Sequence, residues 1–230
     1  MYDDLQLDLT STVDRAAEEI RRALFAGQLA PGTPLREIAL SDAMGVGRST
    51  IREALGLLVA EGVAVRIPHK GVAVKELTAD DVRDVSRARV ALETAGVRRW
   101  RHATEAERQR VRNALADYAT FADQAADVPL DPAQLTESHL QIHRAFVGLT
   151  GSTRLLAAAD SLSAEIRLGL AQLDRTRANL RDQVRDHRML IELLESGDLR
   201  TAMTALGHHL SAAEASLLEA TGNADESVQS

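Results

Sequence analysis

Apolar positions recur at helical spacing along most of the chain, and the exception is confined to one short stretch. Val13, Ala17, Ile20, Leu24 and Phe25 share one face of a 3.6-residue period, predicting an amphipathic helix over residues 14–28 that ends at Gly27. Residues 30–34, Ala-Pro-Gly-Thr-Pro, read as a loop. Leu35, Ile38, Leu40 and Ala43 then recur to Met44 and stop at Gly45. A further short helix follows, with Ile51, Ala54, Leu55 and Leu58 inward and Arg48, Ser49, Arg52 and Glu53 on the other face. Two short helices joined at a glycine predict a helix-turn-helix. Residues 63–67 and 71–75 break the helical period: they are β-branched runs joined by Pro68-His69-Lys70, which predicts a hairpin.

A helix-turn-helix followed by a hairpin is a winged helix. Beyond it no strand pattern returns. Thr78-Ala-Asp-Asp81 has the spacing of a capping box and opens a helix reaching about Trp100. Further helical stretches are punctuated at Thr104-Glu-Ala-Glu107, Pro129 to Pro132, Gly151-Ser152, Leu173-Asp174 and Gly197-Asp198. The predicted fold is mainly α: an N-terminal winged helix-turn-helix over 11–75, then an all-α bundle of about six helices over 76–221. Residues 1–10 are expected to be a flexible tail. Residues 222–230 are polar without periodicity and are expected to be disordered.

Composition changes the picture in two ways. The 230 residues include no cysteine, which removes disulfides and thiolate metal sites. Net charge is −7, against expectation for a nucleic-acid binder, but the charge is unevenly divided. Residues 11–75 hold nine basic and seven acidic side chains, whereas 76–230 hold eighteen basic and twenty-four acidic. The only two lysines, Lys70 and Lys75, fall in the hairpin. No apolar run of membrane-spanning length and no positively charged leader is present, so a cytoplasmic protein without membrane contact is the expectation.

Candidate chemistry sits at two places. Gly47 is positioned to cap the helix beginning at Arg48, leaving first-turn N–H groups and the positive helix end for a DNA phosphate. Arg48 and Arg52 lie one turn apart on its outward face, and arginine is the side chain that most often pairs with guanine O6 and N7. In the second domain, His139 and His143 share a face with Leu135, Ile142 and Phe146. His187 heads the stripe Leu190, Ile191, Leu194, and His209 lies with Ala202, Ala205, Leu206, Ala213 and Leu217, while His208 faces outward. A single inward histidine is most often a hydrogen-bonded core residue. Four on three helices favour one divalent metal held by His139, His143, His187 and His209. Arg89 lies on the inward stripe Val82, Val85, Leu92, Gly96; it either pairs with Glu93 at i+4 or awaits a carboxylate ligand.

The stretches Pro31-Gly-Thr-Pro-Leu-Arg-Glu37, Gly45-Val-Gly-Arg-Ser-Thr-Ile-Arg-Glu-Ala-Leu55, Glu61-Gly62 and His69-Lys-Gly71 resemble the GntR family of bacterial transcription regulators. Residues 76–221 resemble the FCD ligand-binding domain of its FadR-like subgroup. The resemblance implies a DNA-binding set of Arg36, Gly47, Arg48, Ser49, Thr50 and Arg52, with His69, Lys70 and Gly71 of the wing approaching the minor groove. Gly47 stands where the family usually has serine. Metal-binding members use an aspartate and a histidine four apart, then two later histidines. His143, His187 and His209 match the histidine positions and His139 stands at the aspartate, shifting preference toward zinc or nickel, with manganese also compatible. Arg89-Val-Ala-Leu-Glu93 matches the family's Arg-x-x-Leu-Glu pattern and implies effector binding by Arg89.

The leading expectation is a homodimeric repressor that binds a palindromic operator in double-stranded DNA and is released by a small carboxylate. A metal-dependent hydrolase is the rival, weakened by the absence of an HExxH pattern. A third reading keeps DNA binding and makes the metal structural or itself the signal.

Overall fold

Ser11 begins the first helix: its hydroxyl accepts from Asp14 N–H and the Asp14 carboxylate accepts from Ser11 N–H. This capping box starts α1 (Thr12–Phe25) two residues earlier than periodicity alone indicates. The computed structural model describes residues 11–124, 131–171 and 180–227. The expected tail 1–10, the break at Leu173-Asp174 and residues 228–230 lie outside them. The chain divides into units of residues 1–76 and 77–230.

In the first unit α1 buries Ala16, Ala17, Ile20, Leu24 and Phe25, and α3 (Arg48–Ala60) buries Ile51, Ala54, Leu55 and Leu58. Between them α2 (Glu37–Met44) is shorter than expected and buries no residue fully; Ile38 is 59% exposed and Ala43 is exposed. The apolar spacing there was therefore a poor guide, because Leu35 belongs to an extended segment instead. Leu35 N–H donates to Val72 O at 2.8 Å and Pro34 bridges Ala73, so this segment flanks the hairpin. Gly45 ends α2 in the left-handed region (φ 65°), which reverses the chain into α3. The wing is β1 (Ala64–Ile67) antiparallel to β2 (Gly71–Val74), with Ile67 opposite Gly71. At its tip His69 has φ 62°, a backbone conformation costly for a non-glycine residue.

The second unit contains α4 (Ala79–Val97), a 3-10 turn (Trp100–His102), α5 (Glu105–Gln124), α6 (Pro132–Gly148), α7 (Thr153–Ala171), α8 (Leu180–Ser196) and α9 (Leu199–Ser227). The Thr78–Asp81 capping box is present. Val97, Trp100, Val111, Tyr118, Ile142, Phe146, Leu190, Leu194 and Leu206 form the main core. α4 and α6 approach so closely that a Cβ on Gly96 would lie 1.9 Å from Phe146 O. α9 runs to Ser227, so the helix continues past residue 221 into the polar segment. Gly222 and Asn223 are weak helix formers, but extending an existing helix is far easier than nucleating one, and no proline intervenes.

Candidate metal centre and DNA-binding face

The i, i+4 spacing on α6 places His139 and His143 on one face, α8 brings His187 and α9 brings His209; all four meet. His143 is central. Its Nε2 lies 3.3 Å from His139 Nε2, 3.2 Å from His187 Nε2 and 3.3 Å from His209 Nε2, and the four ligand-capable atoms lie within 4.8 Å of one another. His208 is exposed, as expected from its polar neighbours.

The opposite ring nitrogens fix the tautomers. His187 Nδ1 is 2.7 Å from the backbone oxygen of Gln183, which only accepts, so Nδ1 carries the proton. His143 Nδ1 donates to Glu93 Oε2 at 2.8 Å. Burial, then the neighbouring imidazoles and Arg89, pushes His139 far below the ordinary histidine range. Burial followed by Arg89 does the same to His143. Burial also lowers His187, against a raising contribution from Gln183, and brings His209 down to about 3. Neutral rings with protonated Nδ1 leave His143 and His187 with Nε2 lone pairs facing each other at 3.2 Å, with no hydrogen between them. Such an arrangement is repulsive until a cation joins it. An ion with bonds of about 2.0–2.1 Å in tetrahedral geometry separates its nitrogen ligands by about 3.3 Å, and the three contacts of His143 meet that spacing. The four residues fit a divalent metal.

Around the imidazoles stand residues that periodicity does not single out. Glu93, 1% exposed, accepts from Arg89 Nε at 2.6 Å as well as from His143. It thus ties Arg89 to the histidine cluster, and the i, i+4 pair expected as one alternative for Arg89 is present. Arg89 Nη2 is nevertheless buried without a hydrogen-bond partner. It lines a recess with Leu92, Val147, Leu162 and Ser163. Tyr118 packs its ring against His139, with centroids 5.1 Å apart, and its hydroxyl donates to the Gln183 side chain.

On the first unit, Arg36 occupies the N-cap position of α2 without a side-chain cap and is exposed, and Arg48, Ser49 and Arg52 are exposed on α3 while Thr50 is half-buried. Gly47 is the N-cap of α3 and offers no side-chain cap; an added Cβ would meet only Ser49 Oγ at 3.6 Å and Thr50 Oγ1 at 3.9 Å. His69, Lys70 and Gly71 are exposed at the wing tip. Sequence reasoning missed Glu37, whose carboxylate accepts from Arg52 Nε at 3.0 Å and Nη2 at 2.8 Å and lies 3.7 Å from Arg48 Nη2. Fifteen residues separate it from Arg52, across a turn, so no local period links them.

Two family models match consecutive stretches, the bacterial regulatory proteins of the gntR family over residues 12–74 and the FCD domain over residues 84–212. The chain is a GntR-family regulator with an FCD domain. This GntR regulator is 26% identical over 224 residues to the "Probable D-xylose utilization operon transcriptional repressor" of Paenarthrobacter nicotinovorans, covering 97% of this chain and 96% of that one. It resembles a crystal structure of a GntR transcriptional regulator from Rhodococcus sp. RHA1, with TM-score 0.77, 27% identity and coverage of 91% and 99%. E. coli McbR/YncC shares the fold, with TM-score 0.74, 20% identity and coverage of 92% and 99%. The family and its relatives are transcription regulators and not enzymes, so the hydrolase reading falls. Among the described residues no helix is long and apolar enough to cross a membrane.

Proposed function

We propose that this DNA-binding regulator is a metal-assisted repressor, acting in the cytoplasm as a homodimer on a palindromic operator and released by a small carboxylate. The observation that carries the metal part is the convergence of imidazole Nε2 atoms at 3.2–3.3 Å around His143 while the Nδ1 atoms of His143 and His187 donate elsewhere. His139, His143, His187 and His209 would hold the ion, Glu93 and Gln183 orient two of the rings, and Tyr118 packs against a third. A donor set of imidazoles with no carboxylate favours zinc or nickel over manganese. Four imidazoles close a tetrahedral site, so the bound ion would offer an anionic effector an electrophilic position only by expanding its coordination beyond four.

The carboxylate part rests on Arg89, whose Nη2 is buried and unsatisfied. Leaving such a donor without a partner is costly, and an effector carboxylate satisfies it with a charge-assisted hydrogen bond. Arg36, Arg48, Ser49, Thr50 and Arg52 with the capping Gly47 would face the major groove, and His69, Lys70 and Gly71 the neighbouring minor groove.

Metal content of the purified full chain by mass spectrometry tests the first part. Melting shifts with a panel of small carboxylic acids, and with D-xylose as an uncharged comparison, test the second on wild type, His143→Ala and Arg89→Ala. One metal per chain and an acid-induced rise in melting temperature, lost in Arg89→Ala and weakened in His143→Ala, is the expected result. Metal alone altering affinity for DNA, with every acid inert, would instead make the metal the signal.

A further inference from the structure

Arginine presents its N–H groups along two edges: a side edge of Nε and one Nη, and an end edge formed by the two Nη groups. In Arg52 the side edge is taken, because Nε and Nη2 donate in parallel to the two oxygens of Glu37. The end edge points away from that contact, and the Arg52 side chain is 59% exposed. Glu37 itself is anchored at the first residue of α2, where the positive helix end favours its charge. The same carboxylate reaches toward Arg48, one turn before Arg52 on α3, so a single negative charge lies beside both recognition-helix guanidiniums.

An exposed ion pair of this kind contributes little to stability, so stability is a weak reason for it. Its geometry has a consequence for readout. A free guanidinium on a recognition helix swings between a phosphate and a base. One held along its side edge offers only the end edge, whose two donors match guanine O6 and N7. The adjacent carboxylate also repels phosphate oxygens while tolerating the neutral acceptors of a base.

Resting on the reading of Arg52 as a DNA contact, we propose that Glu37 sets the sequence specificity of this regulator by holding the side edge of Arg52, so that Arg52 reads a guanine in each half-site. Glu37 is thus a positioning residue that need not touch DNA.

The test uses the full-length protein and a randomised duplex pool, selected by wild type and sequenced to define the preferred site. Affinities of wild type, Glu37→Gln, Glu37→Asp and Arg52→Ala are then measured by fluorescence anisotropy over a range of salt. The duplexes are the preferred site, versions with adenine in place of each selected guanine, and a scrambled control. Wild type is expected to prefer one guanine by about 10-fold or more, the scale of a bidentate arginine contact. Glu37→Gln is expected to cut that preference to about threefold or less, to bind scrambled DNA more tightly and to show a steeper salt dependence as Arg52 turns to phosphate. Glu37→Asp, which keeps the charge, should restore part of the preference. An unchanged preference in Glu37→Gln, or an equal gain on every duplex, overturns the proposal and leaves Glu37 a surface charge. An Arg52→Ala protein that keeps the full guanine preference overturns instead the assignment of Arg52 to DNA.

Discussion

Glu93 is the residue through which the effector candidate Arg89 and the metal candidate His143 meet. One of its oxygens accepts from Arg89 Nε and the other from His143 Nδ1, inside a site where Glu93 is 1% exposed. Replacing it by glutamine keeps the shape, removes the charge and leaves the Arg89 guanidinium without its counterion. Residues that orient metal-ligating histidines typically govern affinity 10–100-fold. Glu93→Gln is therefore expected to weaken zinc binding by about that factor in competition with a chromogenic chelator; unchanged affinity would show that His143 needs no such support. The depressed imidazoles also set a pH dependence. In the metal-free protein burial holds all four rings neutral to below 6.5, and His139, His143 and His209 well below it, whereas in the unfolded chain they protonate near that value. The unfolded state then binds more protons, so stability falls as pH drops below about 6.5 and continues to fall toward the native values, about 3 for His209. The slope is at most about 1.4 kcal/mol per pH unit for each ring. Urea midpoints of metal-free protein should be lower at pH 5.5 than at pH 7.5, and a flat or inverted profile would mean that the rings are not held neutral.

At the scale of elements, the crossing of α4 and α6 decides whether Glu93 reaches His143 at all. Gly96 and Phe146 lie three residues beyond that pair on their respective helices, and there the backbones approach too closely to admit a Cβ. A methyl group on Gly96 has no room against the Phe146 carbonyl, and backbone cannot step aside as a flexible side chain would. Gly96→Ala should therefore push the helices apart, destabilise the protein by about 1–3 kcal/mol or more, and lower metal affinity although no ligand is altered. A variant with wild-type melting temperature and zinc affinity would show that the crossing tolerates the strain. The same crossing shows where sequence reading stops. His139 and His143 were legible because i, i+4 spacing fixes a helix face, and α3 was legible because Ile51, Ala54, Leu55 and Leu58 repeat without interruption. Gly96 and Glu93 acquire their roles from a neighbour some fifty residues away, which no local period records. α2 misled for a related reason: a two-turn helix offers too few positions for spacing to separate a buried Leu35 in extended chain from an exposed Ile38.

For the whole molecule, the candidate chemistry is split between two units, with the arginines proposed to contact DNA in residues 1–76 and the histidine cluster and Arg89 in residues 77–230. Residues 11–75 keep a small basic excess, nine basic against seven acidic side chains, within a chain of net charge −7, and Arg66, Lys70 and Lys75 make the wing basic. If an acid bound at Arg89 releases operator DNA, thermodynamic linkage requires the converse, that operator DNA weakens the acid by the same factor, commonly about 5–150-fold. This reciprocity needs no knowledge of how the two units are arranged, only that one protein carries both sites. It is measured by titrating the metal-loaded full chain with the acid, free and saturated with its selected duplex, and by titrating DNA with and without acid. Both ratios should agree, at a fixed salt concentration because phosphate contacts make the DNA affinity steeply salt-dependent. Arg89→Ala should bring both ratios to one while leaving the affinity for DNA in the absence of acid unchanged. Acid binding that ignores saturating DNA in the wild-type protein would separate the two sites and reduce the helical domain to one that binds its ligand without regulating the winged helix.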